Sequence, residues 1–320
     1  QWIVDRIAKK LPVNTSVAKF FLCLSLVPLL GSFITEPAAM TLAALMLRDG
    51  FYTRGISQRL KYVTLGILFV NIAIGGVLTP FAAPPVLMVA EKWNWGIQFM
   101  FTTFGWKAAV AVSINALVAT LLFHKELTTI ISENTNAEDA ASARMPLPVI
   151  AVHFIFLAAT VIFIHHPVVF MGLFLFFLGF TEAYKQYQDR LMLREGLLVA
   201  FFLAGLVVLG GIQQWWLQPI ISGMQSTTLF FGATGLTAVT DNAALTYLGS
   251  LVEGISDAGK YALVTGAVTG GGLTVIANAP NPAGYSILKE CFAEQAIRPI
   301  GLFAAALLPT LVAASCFLFL

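Results

Sequence analysis

Two carboxyl groups stand where a carboxylate is expensive. Glu36 lies in Thr35-Glu36-Pro37-Ala38-Ala39-Met40-Thr41 and Asp241 in Thr240-Asp241-Asn242-Ala243-Ala244-Leu245-Thr246, two versions of one phrase about 205 residues apart, each interrupting an apolar run. Inside an apolar medium a carboxyl favours its protonated form, and a bound cation favours the carboxylate. One group can then hold a proton and a cation in turn, the minimal chemistry of cation/proton exchange. Acids are also ordinary residues at helix N-termini, where they complement the dipole, so a purely structural role stays open for each. A second phrase follows each copy: Gly75-Gly76-Val77-Leu78-Thr79-Pro80-Phe81-Ala82 and Gly270-Gly271-Gly272-Leu273-Thr274-Val275-Ile276-Ala277. Gly and Pro break helices, and a break frees carbonyls that suit a desolvated Na⁺ and N-terminal amides that suit an anion. Interrupted apolar segments at matching positions of two halves point to the substrate site of a transporter. Thr35 and Thr240 are placed to cap the helix that follows each tip. Thr79 and Thr274 are read either as ligands or as residues that satisfy nearby carbonyls.

The elements that position these residues must lie in a lipid bilayer. The chain is 58% apolar and 11% charged, with 26 Phe and a mean hydropathy of +0.84, outside the range of soluble domains. Apolar runs long enough for a hydrocarbon core of roughly 30 Å recur along it. A net charge of +2 is too small to suggest a nucleic-acid partner. Cys23, Cys291 and Cys316 sit in apolar surroundings and read as packing residues. None of the motifs HExxH, GxGD or GxSxG occurs, so the chain is not expected to be an enzyme. It begins at Gln1 without Met, and further residues are expected ahead of it.

Charge placement sets the expected topology. Val17–Leu47 is about 31 residues, too short for two full crossings at a rise of about 1.5 Å per residue. It is flanked by Arg6, Lys9, Lys10 and Lys19 on one side and by Arg48, Arg54, Arg59 and Lys61 on the other. Basic residues at both ends place both ends in the cytoplasm, which makes the segment a re-entrant hairpin with Thr35–Pro37 at its tip. The expected fold is an all-α polytopic membrane protein, an inverted repeat with two opposed re-entrant hairpins and two broken transmembrane helices. The first repeat, 1–123, holds a hairpin at 17–47, a broken helix at 62–90 and a span at 97–123. A cytoplasmic linker follows at 124–146. The second repeat, 147–320, holds spans at 147–164, 168–183 and 197–214, a hairpin at 219–252, a broken helix at 261–289 and a span at 299–320. This arrangement puts fifteen of the eighteen Lys and Arg inside, Lys92 and Lys260 outside, and Lys107 within a span.

The second-half phrase Thr240–Thr246, followed by Gly271-Gly272-Leu273-Thr274-Val275-Ile276-Ala277-Asn278-Ala279-Pro280-Asn281, resembles the corresponding signature of bacterial Na⁺/H⁺ antiporters of the ion transporter superfamily. That superfamily also includes dicarboxylate and citrate transporters and arsenite permeases. The resemblance covers the chain from about Leu11 onward. It implies an elevator-type secondary transporter, usually a homodimer, in the cell inner (cytoplasmic) membrane, with Na⁺ (or Li⁺) and H⁺ as transported ions and no cofactor. By position it puts cation sites on Thr35, Glu36 and the Thr79 break, and on Thr240, Asp241, Asn242 and the Thr274–Asn281 break, including Asn278. Symporters of this superfamily typically carry Ser-Asn-Thr at the tips; here the tips carry acids with no Arg nearby. The alternative, a Na⁺- or H⁺-coupled symporter of a dicarboxylate, citrate or oxyanion, rests on the anion preference of helix N-termini. The more polar second repeat carries the greater weight, with Asp241 ahead of Glu36. Lys107 is read as a charge partner for a tip carboxylate or as part of a wet domain interface. His153 is read as a packed histidine or a proton relay, and Asn115 as an interhelical hydrogen bonder.

Overall fold

The computed structural model describes residues 2–129, 146–163, 166–188, 191 and 193–320, and the regular structure among them is entirely helical. In chain order the helices are α1 (Trp2–Lys10), α2 (Thr15–Leu24), α3 (Leu26–Ile34), α4 (Glu36–Gly50), α5 (Gln58–Gly75), α6 (Pro84–Ala90), α7 (Ile97–Leu122), α8 (His124–Thr129), α9 (Leu147–Ile162), α10 (Pro167–Ala183), α11 (Leu193–Gly210), α12 (Gln214–Ser222), α13 (Ser226–Thr237), α14 (Asn242–Ser250), α15 (Asp257–Gly270), α16 (Asn281–Leu288) and α17 (Pro299–Phe319). Gln58–Leu78, Ile97–Leu122, Gly196–Ser222 and Pro299–Phe319 are long and apolar enough to cross a membrane, and the bent pair α2–α3 would make a fifth span. Most of the linker expected at 124–146, residues 130–145, lies outside the described residues, as do His165 and Arg190.

Two compact units emerge, Gln1–Ile131 with Phe201–Leu320, and Ser132–Ala200. In the smaller unit α9 and α10 pack through Phe156, whose ring meets those of Phe176, Phe177 and Phe180. His153 lies edge-on to Phe177 and Phe180, with Nδ1 2.7 Å from the Val149 carbonyl and Nε2 3.1 Å from Gln188 Oε1. Both ring nitrogens are thus engaged locally, as in a packed histidine.

The larger unit is organised by places where helices stop. α3 ends at Ile34 and α4 starts at Glu36, so the chain doubles back at Thr35. The ring of Phe20, on α2, meets that of Phe51, just past α4, at 5.3 Å. A second doubled-back pair, α13 and α14, is closed at its base by Gln218, which donates to the Glu253 carbonyl (2.9 Å) and accepts from the Glu253 amide (2.8 Å). The first arm of each pair packs on the long helix of its own half, α3 on α5 and α13 on α15. The second arms cross over: α4 packs on α16 and α14 on α6. Gly266 and Gly270, one turn apart on α15, let α13 come close; a Cβ at either would strike the Phe230 or Thr234 carbonyl. Small residues at such spacing are the usual means of close helix approach in a membrane.

The 41° bend between α2 and α3 has a chemical cause. Pro28 lacks the N–H that would pair with the Leu24 carbonyl four residues earlier. Asn71 Nδ2 donates to that carbonyl at 2.7 Å and to the Val112 carbonyl at 3.2 Å. Asn115 Nδ2 in turn donates to Asn71 Oδ1 (2.9 Å) and to the Pro309 carbonyl (3.3 Å). The pair ties α2, α5, α7 and α17 together. Asn71→Leu should therefore destabilise the detergent-solubilised protein by about 1–3 kcal/mol, the cost of orphaned buried acceptors, seen as a lower Tm. Asn115→Leu should do likewise, and the double variant should cost less than the sum because the two belong to one network. Strict additivity would show that they act independently.

Candidate functional site

Thr35 makes the first tip with φ 79° and ψ 150°. That region is disfavoured for any L residue and most of all for a β-branched one. Its hydroxyl does not cap α4, contrary to the sequence expectation. Pro37 falls in the first turn of α4, where a missing N–H costs nothing. The conformation turns Glu36 inward. Glu36 is 0% exposed. Its Oε2 accepts a 2.8 Å hydrogen bond from Asn278 Nδ2 in the break of the other half, and its Oε1 has no hydrogen-bond partner. Gly76 is required here, because a Cβ at that position would collide with the Glu36 side chain.

The second tip is built differently. Thr240 Oγ1 donates back to the Leu236 carbonyl (2.8 Å) and closes the end of α13 rather than capping α14. Asp241 is the cap: its Oδ1 accepts from the amides of Ala243 (2.9 Å) and Ala244 (3.1 Å). The two acids occupy matching places in the repeated phrase, yet one folds onto its own helix and the other reaches across to the opposite half. The carboxyl of Asp241 nonetheless lies within electrostatic range of Glu36. Beside it Asn242 is fully buried; its amide N–H donates to the Ala277 carbonyl (3.1 Å), while neither side-chain polar atom has a partner.

Each break is stitched to the hairpin of its own half. Thr79 Oγ1 donates to the Ser32 carbonyl, Ser32 Oγ donates to the Gly75 carbonyl (2.7 Å), and the Leu78 amide donates to Ser32 Oγ (2.9 Å). Thr274 Oγ1 donates to the Ala238 carbonyl (2.8 Å). Asn281 Nδ2 donates to the Gly271 and Thr274 carbonyls, both at 2.8 Å. Thr79 and Thr274 therefore satisfy local carbonyls in this conformation. Around the tips and breaks the buried polar atoms without a partner are Glu36 Oε1, Asn242 Oδ1 and Nδ2, Asn278 Oδ1, Asn281 Oδ1, and the hydroxyls of Thr237 and Thr269; elsewhere among the described residues Thr64 Oγ1, Gln188 Nε2 and Thr310 Oγ1 are also without one. Unpaired polar atoms in an apolar surround are costly, and all of those around the tips and breaks but Asn242 Nδ2 are hard oxygen donors of the kind that bind Na⁺ or Li⁺. No group of three or more His, Cys, Asp or Glu that could hold a metal occurs among the described residues.

Lys107 is not brought to either tip carboxylate. Its ammonium donates to Tyr261 Oη (2.9 Å) and lies 4.8 Å from that ring's centroid, while Tyr261 donates to the Phe317 carbonyl (2.8 Å). Ser32 escaped the sequence reading. The signal was present, since Ser32 stands three residues before the first tip threonine and Thr237 three before the second.

The family model described as "Putative Na+/H+ antiporter" matches residues 1–320, the whole chain, and the chain belongs to that family. It is therefore a transporter family member with the apolar helices of a multi-pass membrane protein. Comparison with curated proteins found no match, and comparison with solved structures found none. Relieving the backbone strain at the first tip is the direct test of its geometry. Thr35→Gly should raise Tm, reflecting relief of about 1 kcal/mol or more, and a lowered Tm would show that the Thr35 backbone is not strained.

Proposed function

We propose that this member of a Na⁺/H⁺ antiporter family exchanges Na⁺ or Li⁺ for H⁺ by alternating access, with Glu36 carrying the proton in one part of the cycle and the cation in the other. The observation that carries the reading is a buried carboxyl with one oxygen held by Asn278 and the other unpartnered, among amide and hydroxyl oxygens that are also unpartnered. In this mechanism the proton sits on Oε1 while Asn278 holds Oε2. When Na⁺ arrives from the face to which the site is open, the proton leaves Oε1 for water on that face, and that oxygen joins the side-chain oxygens of Asn242, Asn278 and Asn281 around the ion. A bare carboxylate in the membrane is expensive, so the site crosses between the two faces only when proton- or cation-loaded. Obligatory exchange follows. Asp241 contributes charge from its capping position, and the weight that the sequence placed on the second tip passes to the first.

The same reading takes the halves, 1–123 and 147–320, as inverted repeats whose doubled-back helix pairs are re-entrant hairpins. Three observations support it: the repeated phrases, the exchange of second arms between halves, and the matched threonine stitches from break to hairpin. On this reading the site moves between the faces of the cytoplasmic membrane by an elevator motion, in a homodimer.

The test is sodium-driven proton movement in proteoliposomes, followed with an internal pH dye. Glu36→Gln should reduce exchange to background. Asp241→Asn should retain a substantial part of it, because Asn caps a helix about as well as Asp. Exchange at wild-type level in Glu36→Gln would remove Glu36 from the mechanism. A wild-type protein that moves no protons with Na⁺ but accumulates labelled dicarboxylate or citrate would replace antiport by symport.

A further inference from the structure

Two short helices begin at the site and end far from it. α14 is capped by Asp241 and opens with Asn242; α16 opens with Asn281, three residues after Asn278. A helix ends on carbonyls with no intrahelical donor, and that end carries partial negative charge. At each of these far ends a lysine from the first half of the chain supplies the missing donor. Lys61 Nζ donates to the carbonyl of Cys291, in the tight turn Lys289–Cys291 that continues α16. Lys92 Nζ donates to the carbonyl of Ser250, the last residue of α14.

Lys61 is 8% exposed, and neither lysine appears in an ion pair with a carboxylate among the described residues. A buried ammonium is costly unless something specific compensates it, and here the compensation is the negative end of α16. Tyr52 Oη donates to the Lys61 carbonyl (2.7 Å) and fixes the backbone from which the side chain extends. α16 packs on α4, the helix that carries Glu36. A slide of α16 along its axis would move the Asn278 segment past Glu36 and change the hydrogen bond that joins the halves.

We infer that Lys61 and Lys92 are positioning residues for the ion site, each pinning the far end of a short helix whose near end holds site side chains. The inference rests on the reading of the Glu36–Asn278 cluster as that site. It assigns both lysines a role at a distance, through helix placement and dipole, with no contact to the ion.

The experiment uses the full chain in proteoliposomes and compares Lys61→Met, Lys92→Met, Lys61→Arg, Lys92→Arg and Glu36→Gln. The readouts are the Na⁺ concentration giving half-maximal exchange, the pH profile of exchange, and Tm. Lys61→Met should raise half-saturating Na⁺ by about five- to tenfold and Lys92→Met by about two- to threefold, as expected for lost charge at a helix C-terminus, and both should displace the pH profile. The Arg variants, which keep a cationic donor, should stay close to wild type. Met variants that lower Tm yet keep the wild-type Na⁺ dependence and pH profile would reduce the lysines to ordinary structural contacts and overturn the inference. Should Lys61→Met fail to purify as a monodisperse species, Lys92→Met decides by the same criteria. Wild-type exchange in Glu36→Gln would instead overturn the underlying assignment of the site, whatever the lysine variants do.

Discussion

A backbone that breaks inside an apolar medium must find a partner for every group that the break sets free, and several buried polar side chains in this protein answer to that constraint. Pro28 orphans the Leu24 carbonyl, and Asn71 takes it. The first break frees the Gly75 carbonyl and the Leu78 amide, and one Ser32 hydroxyl serves both. The second frees the Gly271 and Thr274 carbonyls, and the Asn281 amide serves both. At the far ends of the two short helices the donors are lysines.

Against that background the unpartnered atoms acquire meaning. Glu36 Oε1, the Asn242 side chain, and the side-chain oxygens of Asn278 and Asn281 have no partners, and backbone or side-chain bonds join these residues to one another or to the second break. The halves contribute unequally. The first supplies a carboxyl from its tip and spends its hydroxyls on its own break. The second supplies amides and hydroxyls, and spends its acid on capping α14. The matching amides after Glu36, those of Ala38 and Ala39, are present as well, so the difference lies in the backbone: the Ala39 amide pairs with the Thr35 carbonyl, and Glu36 turns inward to Asn278.

The crossing of second arms makes the site a joint property of the halves. α4 lies on α16 and α14 on α6, and the first tip is completed from the other half. Glu36 needs Asn278, 242 positions away in sequence.

The sequence by itself determined the membrane class from its composition, the doubled motif from its repeated phrases, and the family from the resemblance carried by Thr240–Asn281. It marked Glu36 and Asp241 as acids in apolar runs and Thr35, Thr79, Thr240 and Thr274 at the tips and breaks, while Asn242, Asn278 and Asn281 followed from the resemblance. It ranked Asp241 ahead of Glu36, an order that the proposed function reverses. Their local sequences differ mainly at the next position, and which one turns inward depends on the Thr35 backbone and on Asn278 arriving from the other half. It assigned Thr35 and Thr240 as caps because hydroxyls favour that position, while the tertiary structure gave the cap to Asp241 and turned Thr240 back onto α13. It considered a carboxylate as the partner of Lys107, where packing supplied Tyr261. Such choices are set by which helix end meets which side chain across the fold, and one-dimensional spacing holds no record of that meeting.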